Sequence, residues 1–434
     1  MSRRPAPPSG ARRRPRTDRM TTSWLVAAVV VSALAVAARG VLPQPLWTSI
    51  HVVTLGVLTN GILQWSWYFA KALLHLPADD PRAGRDAVRR AVAFNVALLG
   101  LVTSMWTASV WGTVVFAGAV GAVVAWHGLA LLRAARGRFA SRFAVVVRYY
   151  VTASAFLVVG CVLAGFLTVA MFAVGAPAWL LAARDDLTLA HALINVGGWV
   201  GLSIAGTIVT LGPTMLRTKM DPGAVARSTR ALPVLSGGIA LGGLAAALGW
   251  MPGVGLGLLA FAVGLADGVA VPLVRTAWAS GVRGYAPWTM AAGLGWTLLC
   301  LVVVALHAFG AADGTALRDA DLPWLAVLGA GGLAQVFVGA LTYLMPVVVG
   351  GGPDAVRQGI AVLETAAPGR IALRNAAVAL LAVTASAGGE LRPLLWGAVV
   401  LCFAADVFFF ARSGSTQGRA RRALMVAKTE GAKP

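Results

Sequence analysis

Five histidines, three cysteines and a few amides and carboxylates hold most of the reactive chemistry in this 434-residue chain. Neutral imidazole is a common ligand for iron, copper and zinc, and one ring nitrogen binds while the other is fixed by a hydrogen bond. His51, His191 and His307 each lie inside a long apolar run, close to one end of it. At 1.5 Å rise per residue, His51 and His191 sit about 6 Å, and His307 about 3 Å, from those helix ends. Three imidazoles at one depth on three helices would suit a haem or copper site, so all three are candidate metal ligands. The plainer alternative is that each bonds a neighbouring carbonyl. His127 lies near the opposite end of its run, and His75 lies in a polar loop. Cys161, Cys300 and Cys402 fall in apolar stretches without Cys-x-x-Cys spacing, which excludes a disulfide framework or a cysteine zinc site.

The residues around two of these histidines add detail. His191, Asn195 and Gly198 follow i, i+4, i+7 spacing and share a helix face. Asn195 is placed to orient the imidazole, and Gly198 to leave room for a flat macrocycle, so both are candidate cofactor-binding residues beside His51 and His191. Gly197 and Gly201 form a small-xxx-small seam that serves packing equally well. Around His51, Asn60 and Gln64 share a second polar face, which predicts a helix surrounded by protein at the bundle centre. A separate group, Asp267, Asp406, His127 and Gln335, together with Tyr343, outlines a candidate polar pathway toward the opposite side. Ionisable groups in hydrocarbon are costly, so each is a functional candidate.

These side chains must be positioned by membrane helices. The chain is 58% apolar and 12% charged, against about 45–50% and 25% in soluble domains. A soluble enzyme and a disordered chain are excluded. Twelve non-alternating apolar runs are predicted to span as helices: 23–39, 47–70, 88–106, 109–132, 147–173, 187–212, 230–250, 252–276, 286–309, 323–348, 368–387 and 391–411. Proline opens several of them, at Pro287, Pro323 and Pro393. Of the 36 basic residues, all but Arg39, Arg184, Arg318 and Arg392 fall on one face of this arrangement. The positive-inside rule makes that face cytoplasmic, with both termini on it. The net charge of +20 is therefore spread along a membrane surface, and a nucleic-acid partner is excluded. The fold class is an all-α polytopic membrane bundle: a basic, disordered tail over 1–22, one transmembrane domain over 23–411, and a basic tail over 412–434. Ala35-Val36-Ala37 has the small residues of a signal-peptide cleavage site, so removal of the first span stays open.

The strings His51-Val-Val-Thr-Leu-Gly, Leu63-Gln-Trp-Ser, His191-Ala-Leu-Ile-Asn-Val-Gly-Gly-Trp-Val-Gly-Leu and Gly339-Ala-Leu-Thr-Tyr-Leu-Met-Pro carry a resemblance. They are similar to the membrane region of actinobacterial copper oxidase and copper nitrite reductase-type proteins, from about the second span to the twelfth. More distantly, the chain resembles the NnrS family and subunit I of the haem-copper oxidases. That resemblance implies haem b or copper at His51 and His191, with a cupredoxin-type copper enzyme as a separate partner. The seventh and tenth spans have no histidine, so a complete oxygen-reducing centre is not expected. The expected function is a haem- or copper-binding component of copper oxidase or nitrogen-oxide metabolism in a bacterial cytoplasmic membrane. The alternative is a secondary transporter using the buried Asp and His residues.

Overall fold

The computed structural model describes residues 16–37, 40–77, 79–138, 141, 143–384 and 391–430. Within them the backbone forms helices and connecting turns, with no strand. The principal helices are α1 (Arg16–Ala37), α2 (Pro45–Leu73), α3 (Arg85–Trp106), α4 (Val110–Ala135), α5 (Ala144–Phe172) and α6 (Arg184–Met215). They continue with α7 (Ala224–Ala247), α8 (Met251–Ser280), α9 (Tyr285–Gly310) and α10 (Gly314–Val349). The last are α11 (Pro353–Leu363), α12 (Ala367–Val383) and α13 (Leu391–Glu430).

Ten helices among the described residues are long and apolar enough to cross a membrane, and the pair α11–α12, bent by 43°, makes an eleventh if taken as one span. The protein is an all-α polytopic membrane bundle. Each of the twelve expected runs falls on one of these helices. Among the described residues, the apolar stretch Ser23–Ala35 of α1 falls below the length of the other spans. The expected disordered tail is partly corrected: residues 1–15 lie outside the described residues, whereas the backbone is already helical from Arg16. The basic segment after 411 likewise continues α13 as helix to Glu430.

The third and fourth runs almost touch in sequence, yet a tight turn parts them. Ala108 takes φ 51°, and Ser109 caps α4 by accepting from the Gly112 N–H at 3.2 Å. A serine just before an apolar run is a helix-start signal, because its oxygen satisfies an otherwise unpaired amide.

Helix α2 is central, as its two polar faces predict. Its Gly56 lies against Trp24 of α1, and its Gly61 against Phe337 of α10. Asn95 of α3 donates its side-chain N–H to the Asn60 side-chain oxygen at 2.8 Å, and Thr59 accepts from Trp199 of α6 at 2.9 Å. Ser66 meets His127 of α4 at 2.9 Å. Four helices contain π-helical turns: Val52–Thr59, Leu193–Gly201, Ala266–Ala270 and Val327–Ala334. Such wide turns are rare and occur often at functional sites. The first begins directly after His51 and the second two residues after His191.

Candidate functional site at the outer end of α2 and α6

The first turn of α2 is anchored before any ligand chemistry is considered. Thr48 is fully buried; its hydroxyl donates to the Pro43 carbonyl at 2.8 Å and accepts from Trp106 of α3 at 3.0 Å. One turn on, His51 places Nδ1 2.8 Å from the Trp47 carbonyl. The Trp47 indole stacks on the imidazole, with ring centroids 4.1 Å apart and planes 17° from parallel.

His191 is fixed from a different helix. Its Nδ1 lies 3.0 Å from the Gly160 carbonyl of α5. A carbonyl can only accept, so in each neutral ring the proton belongs on Nδ1 and the lone pair on Nε2. Asn195, one turn along α6, donates to the His191 carbonyl at 2.9 Å. Its amide nitrogen also lies 3.2 Å from Nδ1 and 3.4 Å from Nε2 of the ring. Gly160 makes this approach possible, because a Cβ there would collide with the Asn195 amide. The two imidazoles face each other across the α2–α6 contact, with centroids 6.3 Å apart and planes 28° from parallel.

His191, Asn195 and Gly198 do share a face, but that face is packed on α5. Phe156 occupies the space beside Gly198, its own Cβ included. The expected slot for a macrocycle at Gly198 is therefore closed by helix packing. Gly197 is filled in the same way by Ile239 of α7, and Gly201 by Phe261 of α8.

His307 is not part of the pair. Its Nδ1 is 2.6 Å from a carboxylate oxygen of Asp321 in the first turns of α10. No group of three or more His, Cys, Asp or Glu side chains fit to hold a metal occurs among the described residues. The expected three-imidazole cluster is thus corrected to a pair. The reason is that α10 begins at Gly314, earlier than its apolar run, and its extra turns bring Asp321 to His307.

The candidate polar pathway separates into three places. Asp267 pairs with Arg227 of α7, and its side chain is half exposed. His127 is buried and bonded to Ser66, its Nδ1 having no partner. Only Asp406 and Gln335 come together, through Arg374. That guanidinium donates to Gln335 at 3.0 Å, to Asp406 at 2.6 Å, to the Tyr285 hydroxyl at 3.0 Å and to Thr289 at 3.2 Å. A continuous relay through all four residues is not formed.

Sequence reasoning passed over Arg374 and a second buried cation, Arg90. Arg90 is 1% exposed, with its guanidinium over the rings of Trp67 and Trp126 at 4.9 and 5.6 Å and one N–H on the Arg82 carbonyl. Both had been counted among basic residues at the membrane face. No protein-family model matches this chain and no curated protein does, so a functional reading rests on the arrangement of its own side chains.

Proposed function

We propose that the paired imidazoles of His51 and His191 hold a redox-active metal, as copper or haem iron, in a membrane component that passes electrons. The observation that carries this reading is the facing pair itself, 6.3 Å between ring centroids. The rings are stacked and their free lone pairs lie in the ring planes, so an ion held by both would sit at the edge of the pair, beside the two Nε2 atoms. Each Nδ1 is tied to a backbone carbonyl, the outer contact that fixes tautomer and ring direction in metal-binding histidines. The π-helical turns beside both histidines support the same reading.

With Phe156 closing the side of Gly198, a bare ion fits the packing better than a macrocycle. Either group, when bound, supplies one-electron chemistry. The chain's own contribution is orientation: Trp47 covers one imidazole, and the Asn195 amide lies against the other. His307 belongs to this proposal as a third ligand only if it leaves Asp321. A cupredoxin-type copper enzyme as redox partner, and the bacterial cytoplasmic membrane as location, complete the proposal.

Metal analysis and a visible spectrum of the protein purified in mild detergent test it. Bound copper or iron in the wild type, lost in His51→Ala and in His191→Ala but kept in His75→Ala, is the expected result. Metal content and spectrum unaffected by the first two substitutions would overturn the proposal.

A further inference from the structure

The imidazole pair offers an ion two donors and no charge. His51 Nδ1 meets the Trp47 carbonyl, and His191 Nδ1 the Gly160 carbonyl. With a proton on each Nδ1, both rings are neutral and keep one lone pair apiece, on Nε2. The His51 Nε2 has no hydrogen-bond partner among the described residues. Asn195, the side chain lying against the His191 ring, is a neutral amide.

Among the described residues no carboxylate or thiolate bonds to either imidazole. Asp185 and Asp186 are the acids nearest to His191 along α6, and both engage α10 instead. Asp185 accepts from Arg318 at 2.7 Å and from Thr315 at 3.0 Å, and Asp186 lies against Gly314. Cys161 follows Gly160 in α5, but its side chain lies against Gly121 of α4. Asp321 is taken by His307.

Donor number and donor charge then discriminate between ions. Zinc is almost always four-coordinate in protein sites, and cupric ion favours four ligands in a tetragonal arrangement. Two imidazoles supply half of either set. Cuprous ion, with a filled d shell and a single charge, is satisfied by fewer ligands. Charge acts in the same direction. The cost of taking an ion out of water grows with the square of its charge, so a divalent ion loses about four times as much hydration as a monovalent ion of like size. Neutral donors in an apolar bundle do not offset that loss, because buried charge persists where it is paired.

On the reading that this pair holds a metal, we infer that it selects copper(I), binding the cuprous ion at His51 and His191 in preference to cupric, zinc and other divalent ions. The cupric form, which carries the visible spectrum, is held more weakly, so the site raises the potential of the copper couple. A hundredfold preference for the reduced ion corresponds to a rise of about 120 mV in a one-electron couple.

Competition with metal chelators tests the inference on the full chain in mild detergent, with copper(I) under anaerobic, reducing conditions and with copper(II) and zinc(II) separately. The dissociation constant for copper(I) is expected to be at least a hundredfold below those for the two divalent ions. His51→Ala and His191→Ala should each abolish tight copper(I) binding. Asn195→Asp puts a carboxylate where the amide lies, and should narrow the preference at least tenfold, lowering the potential by about 60 mV. Divalent ions bound through the two histidines as tightly as copper(I) would overturn the selectivity and leave the pair as a metal site. A wild type that binds none of the three ions would remove the metal reading and the selectivity with it. A folded Asn195→Asp with unchanged preference would overturn the charge argument. Should Asn195→Asp fail to fold, the wild-type constants decide alone.

Discussion

At the scale of single residues, the bundle interior is set by how each buried polar group is paired. Asp406 is the sharpest case, because one carboxylate answers two guanidiniums and a phenol in a region where unpaired charge is expensive. Asp406→Ala would leave Arg370 and Arg374 without their acid. Removing one member of a buried pair costs about 3–5 kcal/mol, and thermal unfolding in detergent should show a loss of that order. The double variant Arg374→Met with Asp406→Leu should recover part of it, since an apolar replacement removes the stranded charge as well as the bond. A double variant no more stable than Asp406→Ala would mean that the network is not limited by charge pairing. Asn195 poses a different residue-level question, since its amide nitrogen lies against both nitrogens of the His191 ring, at 3.2 and 3.4 Å. If the imidazole pair binds metal, Asn195→Ala should keep the metal but broaden its spectrum, because the ring loses a positioning contact and no ligand. Complete metal loss in that variant would instead make Asn195 indispensable to the site.

At the scale of helices, close approach depends on a few glycines whose role only the packing reveals. Gly257 of α8 lies directly on the backbone of α7 at Gly238 and Gly242, so an added methyl there would strike main-chain atoms. Gly295 of α9 has open space where its Cβ would be. Gly257→Ala should therefore cost about 1–3 kcal/mol by overpacking. Gly295→Ala should be neutral or stabilising by up to about 1 kcal/mol through helix propensity. Unfolding of both variants in the same detergent provides the comparison, and equal effects would contradict the assigned contact. The same contrast explains what was readable beforehand. Helix order followed from apolar length, although ten or eleven helices among the described residues, against the twelve expected, are long and apolar enough to cross, and the centrality of α2 followed from polar residues on two faces. The approach of His51 to His191 was readable as type and depth. Gly198 was readable as a small residue but not as the seat of Phe156, because a glycine does not say what fills its space. Arg374 was misplaced for a related reason: charge counting treats every arginine near a span end as solvated, although its i+4 spacing from Arg370 inside an apolar run was visible.

At the scale of the whole molecule, the imidazole pair acquires meaning from which face of the bundle meets which compartment. The positive-inside rule predicts the turn before α3 and the end of α13 on the cytoplasmic face, and the α5–α6 connection on the other. On that orientation His51 and His191 are expected toward the outside, where the proposed redox partner could reach them, and Arg370 and Arg374 toward the inside. This orientation can be read directly by cysteine labelling, after Cys161, Cys300 and Cys402 are replaced by Ala. Val174 follows the last turn of α5 and is fully exposed, and Asp79 is exposed in the loop between α2 and α3. A membrane-impermeant maleimide applied to intact cells should label Val174→Cys and leave Asp79→Cys unlabelled, with the order reversed in inside-out vesicles. Replacing Asp79 removes an acid and leaves the basic count intact, so the substitution does not itself bias insertion. The reverse pattern would turn the imidazole pair toward the cytoplasm, and an extracytoplasmic copper protein could then not be the partner.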